Sequence, residues 1–293
     1  MNTLSERLLR RLEWHVVRRL EGRLQGSYRT VFRGSGIDVA GLRTYTAEDD
    51  PRHIDWNVTA RLDEPYVRQY LEDRELTAWL VIDQTASMRF GTRQGKDSVV
   101  AELAVCLARL FGNGGNRVGA LLYETGGHHI VPPGTGRNHV LRLTHALTAP
   151  VAPRVDGRPT DLAAMLHAAA SAVRRRGLVF VISDFIGEGD WPSALVRLGQ
   201  QHEVVAIRVV DPAELTLPDI GLVLVEDAET GEQIFADTSD PLLRRRFADQ
   251  VASREADLHE SMSRSGVTAH TIGTDADLAD ALVGMVRSSR RSA

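Results

Sequence analysis

TAWLVIDQTASM, residues 77–88, is the stretch whose reading decides the fold. Its first half is an apolar run of strand length that stops at Asp83, and two hydroxyl residues follow at alternate positions, Thr85 and Ser87. A short unbroken apolar run bounded by polar residues fits a strand buried on both faces. RVGALLYE, LVFVISDF, EVVAIRVVD and VTAHTIG repeat the pattern further along. Between them lie helical stretches. DSVVAELAVCLARLF sets Val100, Leu103, Ala104, Leu107 and Leu110 on one face, with Asp97 as the expected N-cap. GRNHVLRLTHAL, WPSALVRLGQ, the long PLLRRRFADQVASREADLHESMSRSG and DADLADALVGMVRSSR also read as helices. TDLAAMLHAAASAVRRRG reads as a helix closed by Gly177, with Arg174, Arg175 and Arg176 in its last turn. GLVLVED and EQIFAD read as a pair of strands near an edge. Strands alternating with helices predict an α/β fold, a doubly wound and mostly parallel sheet. In such sheets the functional crevice lies beyond the carboxyl ends of the strands, which is where Asp83 and Asp184 fall.

Upstream the pattern changes. Residues 22–75 are Gly-rich and polar, and predict short β pieces and turns broken at Pro51. The first 24 residues read as an amphipathic helix with Leu4, Leu8, Leu12 and Val16 on one face. Its arginines (Arg7, Arg10, Arg11, Arg18, Arg19) would suit a membrane surface, but Glu6, Glu13 and Glu21 temper that. Packing on the protein's own body is the favoured expectation, without membrane contact. The division expected is a smaller N-terminal lobe, 1–75, of helix plus short β pieces, and an α/β domain, 76–293. The tail over 287–293 is expected to fray.

The 293 residues are 43% hydrophobic and 25% charged, the balance of an ordinary globular chain. A net charge of −4 carries no footprint of nucleic-acid binding. No apolar run nears the roughly 18 residues of a membrane helix, and charges interrupt any signal-peptide pattern at the N-terminus. The single cysteine, Cys106, sits on an apolar helix face and excludes an internal disulfide. A reducing compartment fits, and a cytoplasmic location is expected.

Carboxylate and hydroxyl oxygens at the end of a strand are hard ligands, suited to Mg²⁺ or Mn²⁺. Thr160 in GRPTDL, just before a helix, and Asp184 in VISDF occupy equivalent places. Asp83, Thr85, Ser87, Thr160 and Asp184 therefore form the expected metal set. Each alone has a plainer use, since Asp caps helices and Thr and Ser are common in turns. Built chiefly from neutral alcohols, the site would leave an ion electrophilic and ready to take an acidic group from another protein. That is recognition rather than hydrolysis.

The sequence resembles a known pattern here. Asp83-x-Thr85-x-Ser87 followed by Met88, then Thr160 and Asp184, is similar to the metal-ion-dependent adhesion site of von Willebrand factor A domains, with Thr85 where Ser is usual. GLRTYTAEDDPRHIDWNVTAR resembles the signature of a bacterial family called domain of unknown function fifty-eight. The matching residues are Arg43, Tyr45, Asp49, Asp50, Arg52, Ile54, Asp55, Trp56, Ala60 and Arg61, and Glu48 stands where Gly is usual. The resemblance implies a von Willebrand factor A-like domain and a MoxR-type AAA+ ATPase partner. The pair would act on an unknown client in chaperone-like assembly or cofactor insertion.

Asp49, Asp50, Arg52, Asp55 and Trp56 read either as an ion-pair network within the lobe or as a partner-docking surface. His128 and His129 read as an exposed turn, and Arg244, Arg245 and Arg246 as solvated. GTRQGKDS, residues 91–98, is one residue short of a Walker A loop and has Asp97 where a hydroxyl is required, so ATP hydrolysis is not expected. The chain is expected not to be an enzyme. The alternative is a metal-dependent phosphohydrolase with a strand-end Asp nucleophile, although Thr85 fills its second carboxylate slot and no phosphate-gripping lysine stands out.

Overall fold

The computed structural model of the chain describes residues 38–46, 54–62, 64–71, 76–91, 95–113, 115–149, 159–228 and 230–289. The amphipathic stretch over 1–24 and the signature residues Asp49, Asp50 and Arg52 lie outside them. Two compact units divide the chain, one spanning Phe32–Leu76 and the other holding Thr77–Ala293.

In the smaller unit, β1 (Asp38–Thr44) and β2 (Tyr66–Leu71) pair antiparallel with a register shift between Val39 and Gly41. A helix the sequence reading did not expect, α1 (Trp56–Leu62), lies between them. Its start is local chemistry: Asp55 Oδ1 accepts from the Val58 amide at 3.3 Å, the geometry of an N-cap.

The larger unit is built on six strands. They are β3 (Thr77–Asp83), β4 (Arg117–Glu124), β5 (Gly127–Gly134), β6 (Leu178–Ser183), β7 (Glu203–Val210) and β10 (Thr268–Gly273). Their spatial order is β10-β7-β6-β3-β4-β5, and every pairing is parallel except β4 with β5. The unbroken apolar runs are central strands: all of β6, and β3 from Ala78 on, are buried. Side chains alternate between faces. Trp79, Val81, Val179 and Val181 join one core cluster with α4 (Leu162–Ala172), α5 (Trp191–Gln201) and the C-terminal half of α6 (Pro241–Ser265). On the other face Phe180 packs its ring 5.4 Å from Phe111 of α2 (Lys96–Asn113), and α3 (Gly136–Thr148) packs on α2. The last helix, α7 (Leu278–Ser289), packs against β10. This is the doubly wound, mostly parallel α/β sheet that the alternation predicts.

Several expectations need correction. His128 and His129 are not in a turn but in β5, paired with Tyr123 and Leu122. Pro132 and Pro133 hid this strand, and it tolerates them because it is an edge. Helix α4 ends at Ala172, so Arg174, Arg175 and Arg176 follow it and Gly177 does not cap it. Gly177 instead admits a close approach, since a Cβ there would stand 2.6 Å from the Thr77 carbonyl oxygen. Asp97 is inside the first turn of α2 rather than before it. GLVLVED and EQIFAD form a separate two-stranded sheet, β8 (Leu222–Glu226) with β9 (Gln233–Asp237), which does not join the large one. Its Leu222, Leu224 and Phe235 share one face and are exposed. The expected fraying over 287–293 is pushed back by α7, which runs to Ser289.

Candidate cation site at the carboxyl edge of the sheet

Asp83 is the last residue of β3 and is 1% exposed. Its Oδ1 accepts from the Thr85 amide at 3.0 Å and the Thr85 hydroxyl at 2.6 Å. This local turn, an Asp bonding two residues on, is what bends the chain out of the strand. A short 3-10 turn, Ala86–Arg89, follows and brings the Ser87 hydroxyl to 3.3 Å from Thr85 Oγ1. Thr85 is buried, and Ser87 is half-buried.

Strand β6 supplies the second carboxylate. Pairing of Ile82 with Ile182 puts the ends of β3 and β6 side by side. Ser183 then donates to Asp83 Oδ2 at 2.7 Å and accepts from the Phe185 amide at 3.0 Å. Asp184, 1% exposed, accepts from the Ile186 amide at 2.9 Å through Oδ1. Phe185 next to it has φ 56°, a left-handed conformation strained for a bulky side chain. Burial of its ring 5.5 Å from Trp191 holds it there.

Thr160 is 2% exposed and sits in the loop before α4. Its carbonyl accepts from Glu188 at 3.0 Å, and Asp161 bridges to Glu188, so its loop is bound to the segment leaving Asp184. Gly187 permits that approach, because a Cβ there would stand 2.5 Å from Thr160 O. Burial, and then the charges of Asp161 and Asp83, push the phenol of Tyr123, the strand partner of Asp83, upward. The structure thus gathers Asp83, Thr85 and Ser87 in one hydrogen-bonded cluster, seats Asp184 beside it and ties the Thr160 loop to the Asp184 loop. Of the signature residues that are described, Asp55 caps α1 and Trp56 is 68% exposed.

Burial, and then the charge of Asp184, raise the Asp83 carboxyl from 3.8 to about 6, against the opposing bonds from Thr85 and Ser183. A buried carboxylate whose hydrogen bonds come from neutral groups, as those of Asp83 do from Thr85 and Ser183, is an arrangement that a cation relieves. Among the described residues, no three His, Cys, Asp or Glu side chains gather as a ligand group. The donors that do gather are hydroxyls with two carboxylates, a set suited to a hard divalent ion. A cavity of about 370 Å³ lies elsewhere, lined by Arg208, Glu255, His259 and His270 among others, and none of the expected site residues lines it.

Sequence reasoning missed Lys96. It found no lysine near the strand ends, yet Lys96 is completely buried there. Its Nζ donates to Asp184 Oδ2 at 2.7 Å and to Glu214 Oε1 at 2.6 Å. A cation in the first turn of a helix runs against the helix dipole, and that was the available signal. Ser183 was missed as well, though it directly precedes Asp184.

The chain is 39% identical over 288 residues to the uncharacterized protein Rv1480 of Mycobacterium tuberculosis, covering 97% of this chain and 90% of that one. Solved structures similar to it include the conserved hypothetical protein BatB from Bacteroides thetaiotaomicron, at 14% identity, TM-score 0.48, and 74% of this chain against 99% of that one. The SpRpn10 VWA domain matches at 12% identity, TM-score 0.39, and 71% against 93%. These are weak likenesses, and the fold rests on the strand order described above. The family model described as "Protein of unknown function DUF58" matches residues 41–257, and the chain belongs to that family.

Proposed function

We propose that the chain is a non-enzymatic, cation-dependent protein-binding module. Asp83, Thr85, Ser87, Thr160 and Asp184 hold Mg²⁺ or Mn²⁺, and an acidic side chain of a partner completes the shell. The observation that carries this reading is the buried Asp83 carboxylate, bonded to the neutral donors Thr85 and Ser183 and set among hydroxyls beside Asp184 at the carboxyl edge of a parallel sheet. Ser87 is the half-open member of the Asp83 cluster, and a partner's carboxylate approaches on its side. The exposed apolar hairpin β8–β9 adds a surface that suits protein contact. A MoxR-type AAA+ ATPase is the partner proposed from the family resemblance. The module would act with it on a client protein in chaperone-like assembly or cofactor insertion, in the cytoplasm. Among the described residues no helix is long and apolar enough to cross a membrane.

Calorimetric titration of the metal-free chain with MgCl₂, followed by capture of the ATPase with and without EDTA, tests the proposal. Asp83→Ala should abolish both the binding heat and the metal-dependent capture. Undiminished capture by that variant would overturn it. One observation favours the phosphohydrolase alternative: a buried lysine stands against Asp184 after all. Its ammonium is already shared between two carboxylates, however, and so is not free to grip a phosphate. Phosphoester turnover lost in Asp83→Asn would establish that alternative.

A further inference from the structure

Lys96 is fully buried, and nothing in its local sequence explains its burial. It stands in the first turn of α2, where the helix dipole disfavours a cation, and desolvating an ammonium is expensive. What holds it is a pair of carboxylates from distant segments, Asp184 after β6 and Glu214 after β7. Glu214 is itself fixed: it lies in a 3-10 turn, Pro212–Glu214, whose capping box uses Asp211 Oδ1 on the Ala213 amide and Glu214 Oε2 on the Asp211 amide. Asp211 Oδ2 in turn accepts from Thr274, just past β10, at 2.7 Å. Glu214 is therefore placed independently of Lys96, with one oxygen turned to the ammonium.

We propose that Lys96 is a positioning residue that sets the strength of the cation site. This rests on the function proposed above. The ammonium occupies Asp184 Oδ2 while the Ile186 amide occupies Oδ1, so Asp184 reaches any bound ion already neutralised and with both oxygens engaged. The ion is left with hydroxyls and Asp83, whose oxygens are held by the neutral groups of Thr85 and Ser183, as its main donors. It is bound weakly and remains electrophilic, which is the state a partner's carboxylate can exploit. Glu214 makes this arrangement adjustable. When an ion draws on Asp184, the ammonium keeps a charged partner and is not stranded in the interior. Cation binding is thereby connected, through Glu214 and its capping box, to the ends of β7 and β10.

The test is calorimetric titration of MgCl₂ into the full chain and three variants, with near-ultraviolet circular dichroism to verify folding. Lys96→Met, of similar length and uncharged, should bind Mg²⁺ about tenfold tighter or more, since a unit charge near the ion is removed. Glu214→Gln should bind more weakly, because Lys96 then rests wholly on Asp184. The double variant Lys96→Met/Glu214→Gln strands no second buried carboxylate, and it should bind more tightly than Glu214→Gln alone even if Lys96→Met by itself does not fold. A merely structural lysine predicts weakening in every variant. If the unaltered chain binds Mg²⁺ and removal of Lys96 tightens it in neither background, the inference is overturned while the cation site stands. If no protein in the series binds Mg²⁺, the cation site itself is refuted and the inference with it.

Discussion

Replacing Asp83 by Asn should stabilise the metal-free protein. Native burial and the charge of Asp184 move the Asp83 carboxyl from 3.8 to about 6, a shift of about 2 units. At about 1.4 kcal/mol per unit, ionised Asp83 weakens the native state by roughly 3 kcal/mol at neutral pH. Asparagine keeps the shape. Its Oδ1 still accepts from Thr85, and its Nδ2 meets the Ser183 hydroxyl that now donates to Oδ2. In EDTA at pH 7.5 the variant should be more stable by about 1–3 kcal/mol, at about 2–4 °C of melting temperature per kcal/mol for a unit of this size. The pH dependence has a definite sign. Above pH 6 the carboxyl is ionised in both states and the full penalty is present. Between about 6 and 3.8 the native state holds a proton that the unfolded chain has lost, so stability rises as pH falls and the gap between the two proteins closes. Added Mg²⁺ should reverse the order by raising the melting temperature of the unaltered chain alone. Thermal melts between pH 4.5 and 8, with EDTA and then with Mg²⁺, read all of this. A variant less stable than the parent in EDTA, by the same amount at every pH, would refute the argument.

Other perturbations have equally direct readouts. Cys106 is 1% exposed, and burial with Glu102 nearby pushes its thiol up to about 12, so a thiol reagent at pH 8 should leave it untouched in the native protein and label it after denaturation. Gly266 closes α6 at φ 66° with open space around it, so Gly266→Ala should lose about 1 kcal/mol from backbone strain alone, seen in urea unfolding. Glu255 forms two bonds, at 2.5 and 2.6 Å, to the nearly buried Arg208 guanidinium, and Glu255→Gln should cost roughly 1–3 kcal/mol, since Glu255 itself is a third exposed. An Arg208→Met/Glu255→Gln double variant should recover part of that loss in the same unfolding measurement.

The parts legible in advance were those whose physics is local. Strands β3, β6 and β7 lie in the middle of a parallel sheet, covered by helices on both sides, so nearly every position is apolar and the run is unmistakable. The turn at Asp83 was equally plain, because Asp83 and Thr85 are two residues apart and bond each other. Strand β5 was not legible, since an edge accepts the two prolines and exposed histidines that would disqualify a central strand. The charge assigned to the end of α4 failed because that helix stops at Ala172 and lets the chain turn past the Thr77 carbonyl at Gly177.

By itself the sequence determined the class of the sheet, the places where its strands end and the oxygen donors standing there, for these depend on burial and on bonds spanning a few residues. Only the tertiary structure decided that Lys96 belongs among them. Its partners Asp184 and Glu214 are 88 and 118 residues away, and no spacing rule reaches across crossovers of that length. A lysine followed by an aspartate looks like solvated surface until the chain folds, and it becomes the buried counter-charge of the site because strand order brings the two carboxylates to the start of its helix.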